Sequence, residues 1–542
     1  MPTVLLLSVV LPAICLPAQD LQDYGTPPLT APFTKLDTLC VNDWWARGPS
    51  PIVETRVPRE QVIAFGIYTV HAGSLKLTAQ LYPLYPRETR TVRLELLRDG
   101  EWKEEARAEV HDLGWSALLR VDGWSADQDV PYRLRHGEEA LYQGSIRRDP
   151  TDSNEITVAA LSCNSSRDRG LRPRYVRNIL WHDPDLVFFA GDQSYDHREH
   201  TAAWLKFGLQ FKEVFRDRPC ITIPDDHDIG QANLWGESGK VAKLRGSADG
   251  GYNHHPDYVR MVERCQTAHL PDPVDPRPVG QGIGVYFTNL RLGGIDFAIL
   301  EDRKFKSGPA GKIPKQGPRP DHITDPDYDP ASIDLEGLVL LGERQHAFLR
   351  SWGQAREGVR MKVVLSQTGF CGGAHLHGSR DNRLFADLDS NGWPQSGRNE
   401  ALRLIQAAGA IHIGGDQHLA TVIQHGIDKH RDGPWAFIVP ACVNTIYGRW
   451  WSPDNDAPGE ARDPASALPF TGDYWDGFRN RITMHAYANP DAETNGEGYG
   501  LIRLDKRAGE VTFECWPRIV DVSAPDAAQF PGWPISFPIR NR

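Results

Sequence analysis

The stretch Asp185-Leu-Val-Phe-Phe-Ala-Gly-Asp-Gln-Ser-Tyr-Asp-His197 decides how the rest of the chain is read. It begins as a short, fully apolar strand and breaks at glycine into Asp192 and Tyr195, two side chains that act as metal ligands or acid–base groups far more readily than as core. The same grammar recurs on either side. ITVAALSC (156–163) runs into Cys163-Asn164, CITI (220–223) into Asp225-Asp226-His227-Asp228, and AIHIGG (410–415) into Asp416-Gln417-His418. Between these strands lie helical patterns: RYVRNILWH (174–182), AAWLKFGLQFKEVF (202–215), LGERQHAFLRSWGQAR (341–356) and NEALRLIQAAG (399–409). GIDFAILEDR (294–303) and MKVVLSQTG (361–369) add two more strands. Strands alternating with helices predict an α/β domain with helices on both faces of a sheet, and in such sheets ligands gather at the carboxyl ends of the strands.

Upstream the rhythm differs. LKLTAQLYPLY (75–85), TVRLELLRDGEW (91–102) and SALLRVDGW (116–124) alternate apolar and polar residues between Gly, Pro and Asp turns, which predicts a small all-β sandwich of fibronectin or immunoglobulin type over residues 19–150. Residues 151–542 then form the α/β domain. The opening MPTVLLLSVVLPAICLPA (1–18) is apolar, too short to span a bilayer and followed by polar Gln19-Asp20, so it reads as a signal peptide of an exported chain. No lipoprotein pattern accompanies it, because Ile14 precedes Cys15. Loss of Cys15 leaves seven of the eight cysteines, an odd number that asks for one thiol with a separate task; no C-x-x-C spacing offers a zinc knuckle.

Lysine and arginine number 60 against 71 aspartates and glutamates, a net charge of −11, which disfavours nucleic-acid binding. An anionic substrate would need local positive charge, as from bound metal. Hard carboxylates mixed with imidazole, phenol and thiol suit a dinuclear cation site, in which one carboxylate such as Asp192 bridges two ions roughly 3.5–4 Å apart.

The order of these blocks resembles the calcineurin-like metallophosphoesterases, and among them the PhoD-type alkaline phosphatases and phosphodiesterases. The strings that carry the likeness are LSCN, DLVFFAGDQSYDH, PDDHD, LEDRKF, LGERQHAFLRSW, VVLSQ, DLDSNGWPQSGRNEAL, GGDQHLA and the closing GYGLIRLDKRAGEVTFECW, over roughly 150–517. The resemblance implies a metallophosphoesterase-type sheet domain, with Cys163, Asp192, Tyr195 and His418 around a ferric ion. It places Asp192, Asp226 and Asp416 around calcium or another divalent cation. His227 would face the leaving group, and Arg303 would serve as a phosphate or a structural arginine. Implied too are a phosphate-ester substrate and no stable membrane insertion. This chain departs from the pattern at Pro224, where tryptophan is usual, and at Gln367, where related enzymes carry histidine. Asn233, His375 and His377 are further candidates, and Trp450 and Trp451 are either lid or packing residues.

Two other readings compete. Cys163 to Arg169 fits the C-x5-R cradle of cysteine-dependent phosphatases, although Ser162 stands where an activating histidine belongs and Asp168 puts negative charge in the loop. A non-catalytic protein that binds glycans or envelope components through its sixteen tryptophans would not need acidic residues at every strand end.

Overall fold

A computed structural model describes residues 50–539 except 169–171, 198, 245, 326, 375–383, 445–447 and 451–465. The expected signal peptide, Arg169, His375, His377 and Trp451 lie outside the described residues.

Residues 63–146 form two antiparallel sheets. One pairs Ile63–His71, Ser74–Leu81 and Ser116–Asp122; the other runs in the order Glu101–Glu109, Thr91–Arg98, Val130–His136, Ala140–Ile146. Alternation drives them: Val92, Leu94 and Leu96 are wholly buried while Arg93 and Glu95 between them are not. Asp99-Gly100 turns the chain between two strands with φ of 56° and 81°, the doubly positive pair that matches the twist of a two-residue hairpin. Buried side chains of both sheets join one core with the helix His200–Phe215. Gly208 is required at that junction, because a Cβ there would lie 1.9 Å from the Phe65 ring.

The remaining residues build two larger sheets. The first has the order Cys220–Thr222, Leu186–Phe189, Glu155–Asn164, Gly498–Asp505, Glu510–Pro517, Ile535–Pro538, with Ala441–Val443 also paired to Glu155–Asn164. The second has the order Thr288–Leu292, Ile295–Ile299, Met361–Thr368, Ile411–Gly415, Trp435–Ile438, Ala420–His425, Arg481–Ala488, Gly472–Trp475. The sequence predicts one sheet with helices on both faces; the structure instead sets two sheets against each other, each with helices on its outer face. Strand Glu155–Asn164 shows why. Ile156, Val158 and Ala160 enter the core shared with Phe297, Val363 and Ile411 of the second sheet, whereas Ala159 and Leu161 face Tyr175, Ile179 and Phe211 of the helices. On the far side Ala298, Leu300 and Val364 pack against Phe348, Leu349, Leu402 and Ile405 of the helices Gly342–Gln354 and Gln395–Ala407. A strand apolar on both faces must be covered twice, and sequence pattern does not say by what.

Within each sheet the central strands are parallel: 155–164, 186–189 and 220–222 in one, 295–299, 361–368, 411–415 and 435–438 in the other. Their carboxyl ends deliver Asn164, Asp192, Asp225, Asp302, Thr368 and Asp416. No helix among the described residues is long and apolar enough to cross a membrane.

Candidate metal centre

Asp192 is the hub. It is 1% exposed, and its carboxylate accepts the Tyr195 hydroxyl at 2.7 Å and the His227 backbone N–H at 3.3 Å, with the Cys163 Sγ 3.8 Å away. The Tyr195 hydroxyl also lies 2.9 Å from His418 Nε2, and His418 Nδ1 lies 3.3 Å from Asn444 Oδ1. That second contact assigns the proton to Nδ1 and turns Nε2 toward the cluster. Cys163, Asp192 and His418 present ligand atoms within 4.8 Å of one another, as do Asp192, Asp225, Asp226 and Asp416, and Asp192, Asp226 and His227. Asp192 belongs to all three groups, which is the geometry of a bridging ligand.

The loops that carry these groups are held in strained conformations. Cys163, Asp192, Asp416 and His418 have φ of 53°, 57°, 68° and 51°, the left-handed region that costs a non-glycine residue about 1–3 kcal/mol and persists only where the surroundings enforce it. Asp228 supplies part of that enforcement, since its carboxylate accepts the backbone N–H groups of Asp192, Gln193 and Asp225 at 2.8, 3.0 and 2.9 Å. Gly191 supplies another part: its φ is 114°, and a Cβ there would stand 2.5 Å from that of Asp225.

Electrostatics point the same way. Burial pushes Asp192 far above the usual carboxylate range, reinforced by Asp226 and Asp225; burial and Asp192 do the same to the Cys163 thiol and the Tyr195 phenol. Among the carboxylates with a shifted value here, Asp226 is the one held below its ordinary value, for although burial raises it, His227 and Arg303 outweigh that. Its Oδ1 is buried with no hydrogen-bond partner, while Oδ2 accepts the Asn233 backbone N–H. A thiol, a phenol, an imidazole and the Asp192 and Asp225 carboxylates that resist charging together, with one Asp226 carboxylate oxygen left unsatisfied, fit a bound cation pair: soft and anionic donors on the Cys163 side, hard oxygens on the Asp226 side. The raised thiol is the opposite of what a nucleophilic cysteine cradle requires.

Of the remaining candidates, His227 borders a cavity of about 230 Å³ together with Asp192, Tyr195, Asp226, Asp416 and His418. Its ring lies 4.0 Å from that of Tyr195 and its Nδ1 hydrogen-bonds His197 Nε2, so Nε2 is the atom available to the cavity. Arg303 stands behind the site. It is 2% exposed, forks onto Asp225 at 2.6 and 3.1 Å, and pairs with Asp389 at 2.8 Å and Asp416 at 3.0 Å. Of the two roles open to it, the structure supplies the partners for the structural one. Asn233 lines the cavity; Gln367 is buried and ties Pro224 to Tyr286. Trp450 is wholly buried and donates to the Phe470 carbonyl, and Trp181 is the one largely exposed tryptophan among the described residues. Sequence reasoning passed over Asp225 as a ligand although it stands in the DDHD string, and passed over Asp387, Asp389, His197 and Arg319, whose places depend on loops without a readable period.

No protein-family model and no curated protein sequence matches the chain. Its fold is that of a PhoD-like mixed α/β protein: it is similar to a solved structure of PhoD with a TM-score of 0.60 at 15% sequence identity, over 88% of this chain and 90% of that one.

Proposed function

We propose that the chain is an exported, metal-dependent phosphoric ester hydrolase of the PhoD type, with residues 19–150 as a leading sandwich and 151–542 as the metallophosphoesterase domain. The observation that carries this reading is the convergence on Asp192 of donors from three other strand ends. The PhoD-like fold supports it. Cys163, Asp192, Tyr195 and His418 would hold a ferric ion, and Asp192, Asp226 and Asp416 calcium or another divalent cation, with Asp225 beside them. Such a pair, when bound, neutralises charge on the phosphoryl oxygens and activates water for in-line attack.

The chain's own groups do the rest. His227 protonates the departing ester oxygen from Nε2, while His197 holds its Nδ1 and keeps the ring directed at the cavity. Burial lowers the basicity of His227, and Asp226 and Asp416 oppose that; a bound phosphate ester adds further negative charge that favours the protonated ring. Arg303 fixes Asp225 and Asp416 in one orientation, and Asn444 fixes His418.

The test is hydrolysis of matched aryl phosphate monoesters and diesters by the purified protein, with metal analysis of the same sample. Chelation abolishes activity and metal readdition restores it. Phenolate and thiolate ligation of ferric ion gives a charge-transfer band that Tyr195→Phe shifts or bleaches. Activity that survives exhaustive chelation yet is lost to iodoacetamide overturns the metal reading; a colourless, iron-free, fully active protein overturns the iron assignment alone.

A further inference from the structure

The long insertion at 304–335 has no readable sequence pattern, yet it contributes a side chain to the wall of the cavity beside the candidate metal centre. We propose that Arg319 is a specificity residue that binds a phosphoryl oxygen facing away from the cation pair and thereby favours phosphate monoesters over diesters. This rests on the phosphoesterase reading.

Arg319 is the only lysine or arginine among the described residues lining the 230 Å³ cavity. Nearby cations are committed elsewhere. Lys304 pairs with Glu263 and Glu301 at 2.6 Å each, Lys306 donates to the carbonyls of Asp389 and Ser390 at 2.5 and 2.7 Å, and Arg303 is held by three carboxylates. Arg319 keeps 44% of its side chain exposed but is not adrift. Its Nε and Nη2 grip Asp321 at 3.2 and 2.7 Å, Asp321 is 4% exposed and accepts the Asn233 amide at 2.7 Å, and the Asn233 backbone N–H donates to Asp226. A continuous path of hydrogen bonds therefore ties the guanidinium to a carboxylate of the metal centre. The path holds this arginine at the cavity wall.

The chemistry follows from counting oxygens. A phosphate monoester carries a charge of roughly −1.5 to −2 near pH 7 and three non-bridging oxygens, whereas a diester carries one charge and two such oxygens. Each ion of a bound pair would polarise one phosphoryl oxygen as a Lewis acid, so two of these oxygens would be taken up. The third oxygen of a monoester occupies the position where a diester bears its second ester arm, and a guanidinium forms a charge-assisted hydrogen bond only to the former. At a partly exposed position that bond is worth about tenfold in affinity, the lower end of the range for such contacts.

The experiment compares full-length, metal-loaded wild type, Arg319→Met and Arg319→Lys on nitrophenyl phosphate and bis(nitrophenyl) phosphate. Inorganic phosphate serves as a competitive inhibitor, and metal content is measured for each protein. Arg319→Met raises KM for the monoester about tenfold and weakens phosphate inhibition by the same factor. The diester kcat/KM falls less than threefold, metal content is unchanged, and Arg319→Lys recovers part of the monoester affinity. Equal losses on both esters, or a loss that follows bound metal, mean that Arg319 only neutralises Asp321, and the inference fails while the phosphoesterase reading stands. A wild type that hydrolyses neither ester overturns both.

Discussion

Replacing Arg303 with methionine separates a prop from a substrate contact. The guanidinium is 2% exposed and makes four charged contacts to Asp225, Asp389 and Asp416, between 2.6 and 3.1 Å. Methionine fills much of the volume and leaves three carboxylates without their counter-charge. Breaking a buried pair by removing one partner costs about 3–5 kcal/mol, because the group left behind is neither solvated nor paired. Asp225 and Asp389 are already pushed upward by burial, so they can take up protons and relieve part of that cost, and the penalty shrinks as pH falls. Bound cations replace some of the lost charge, so the penalty is smaller in metal-loaded protein. Urea unfolding of metal-free and metal-loaded protein at pH 6 and pH 8 measures both dependences. The largest loss is expected in the metal-free protein at pH 8. Activity should fall through lost metal and recover in part with excess metal. Unchanged stability, within about 0.5 kcal/mol, together with a raised KM at full metal occupancy refutes the reasoning and makes Arg303 a substrate ligand.

Other consequences are separable. Asp192→Asn should remove both cations together, read as metal stoichiometry, since it is common to the three ligand groups that contain Cys163, Asp226 or Asp416; loss of only one metal contradicts bridging. His227→Gln should cost alkyl esters far more than nitrophenyl esters, up to the 10²–10⁴ typical of general acid catalysis, and equal losses would assign it to phosphate positioning. Asp387, pushed up to about 7 by burial and by Asp321, joins Asp192, Asp225 and Asp389 in having a raised folded-state value. Stability from such groups is complete below the ordinary carboxylate range near pH 4 and is lost as pH rises through the folded value, whereas metal binding needs deprotonated ligands. The difference in unfolding midpoint between metal-loaded and metal-free protein should therefore widen from pH 5 to pH 8; a constant difference contradicts it.

What the sequence determined by itself was local. Each apolar strand ends directly in its chemistry, so Cys163, Asp192, Asp226, Asp416 and His418 are legible because the strand and its ligand are neighbours along the chain. The alternation in Thr91–Arg98 is legible for the same reason, as period two over eight residues needs no partner to be read. Only the tertiary structure decided that two sheets face each other, since Ile156 and Val158 call for a cover without naming it. It also decided that Arg303 is consumed by Asp225, Asp389 and Asp416, and that Arg319 reaches the cavity through Asp321 and Asn233. Those meetings join residues 78 to 113 positions apart for Arg303 and 88 apart for Asp321 and Asn233. They are set by strand order and loop path, and a pattern with a period of two or 3.6 residues carries no information over such distances.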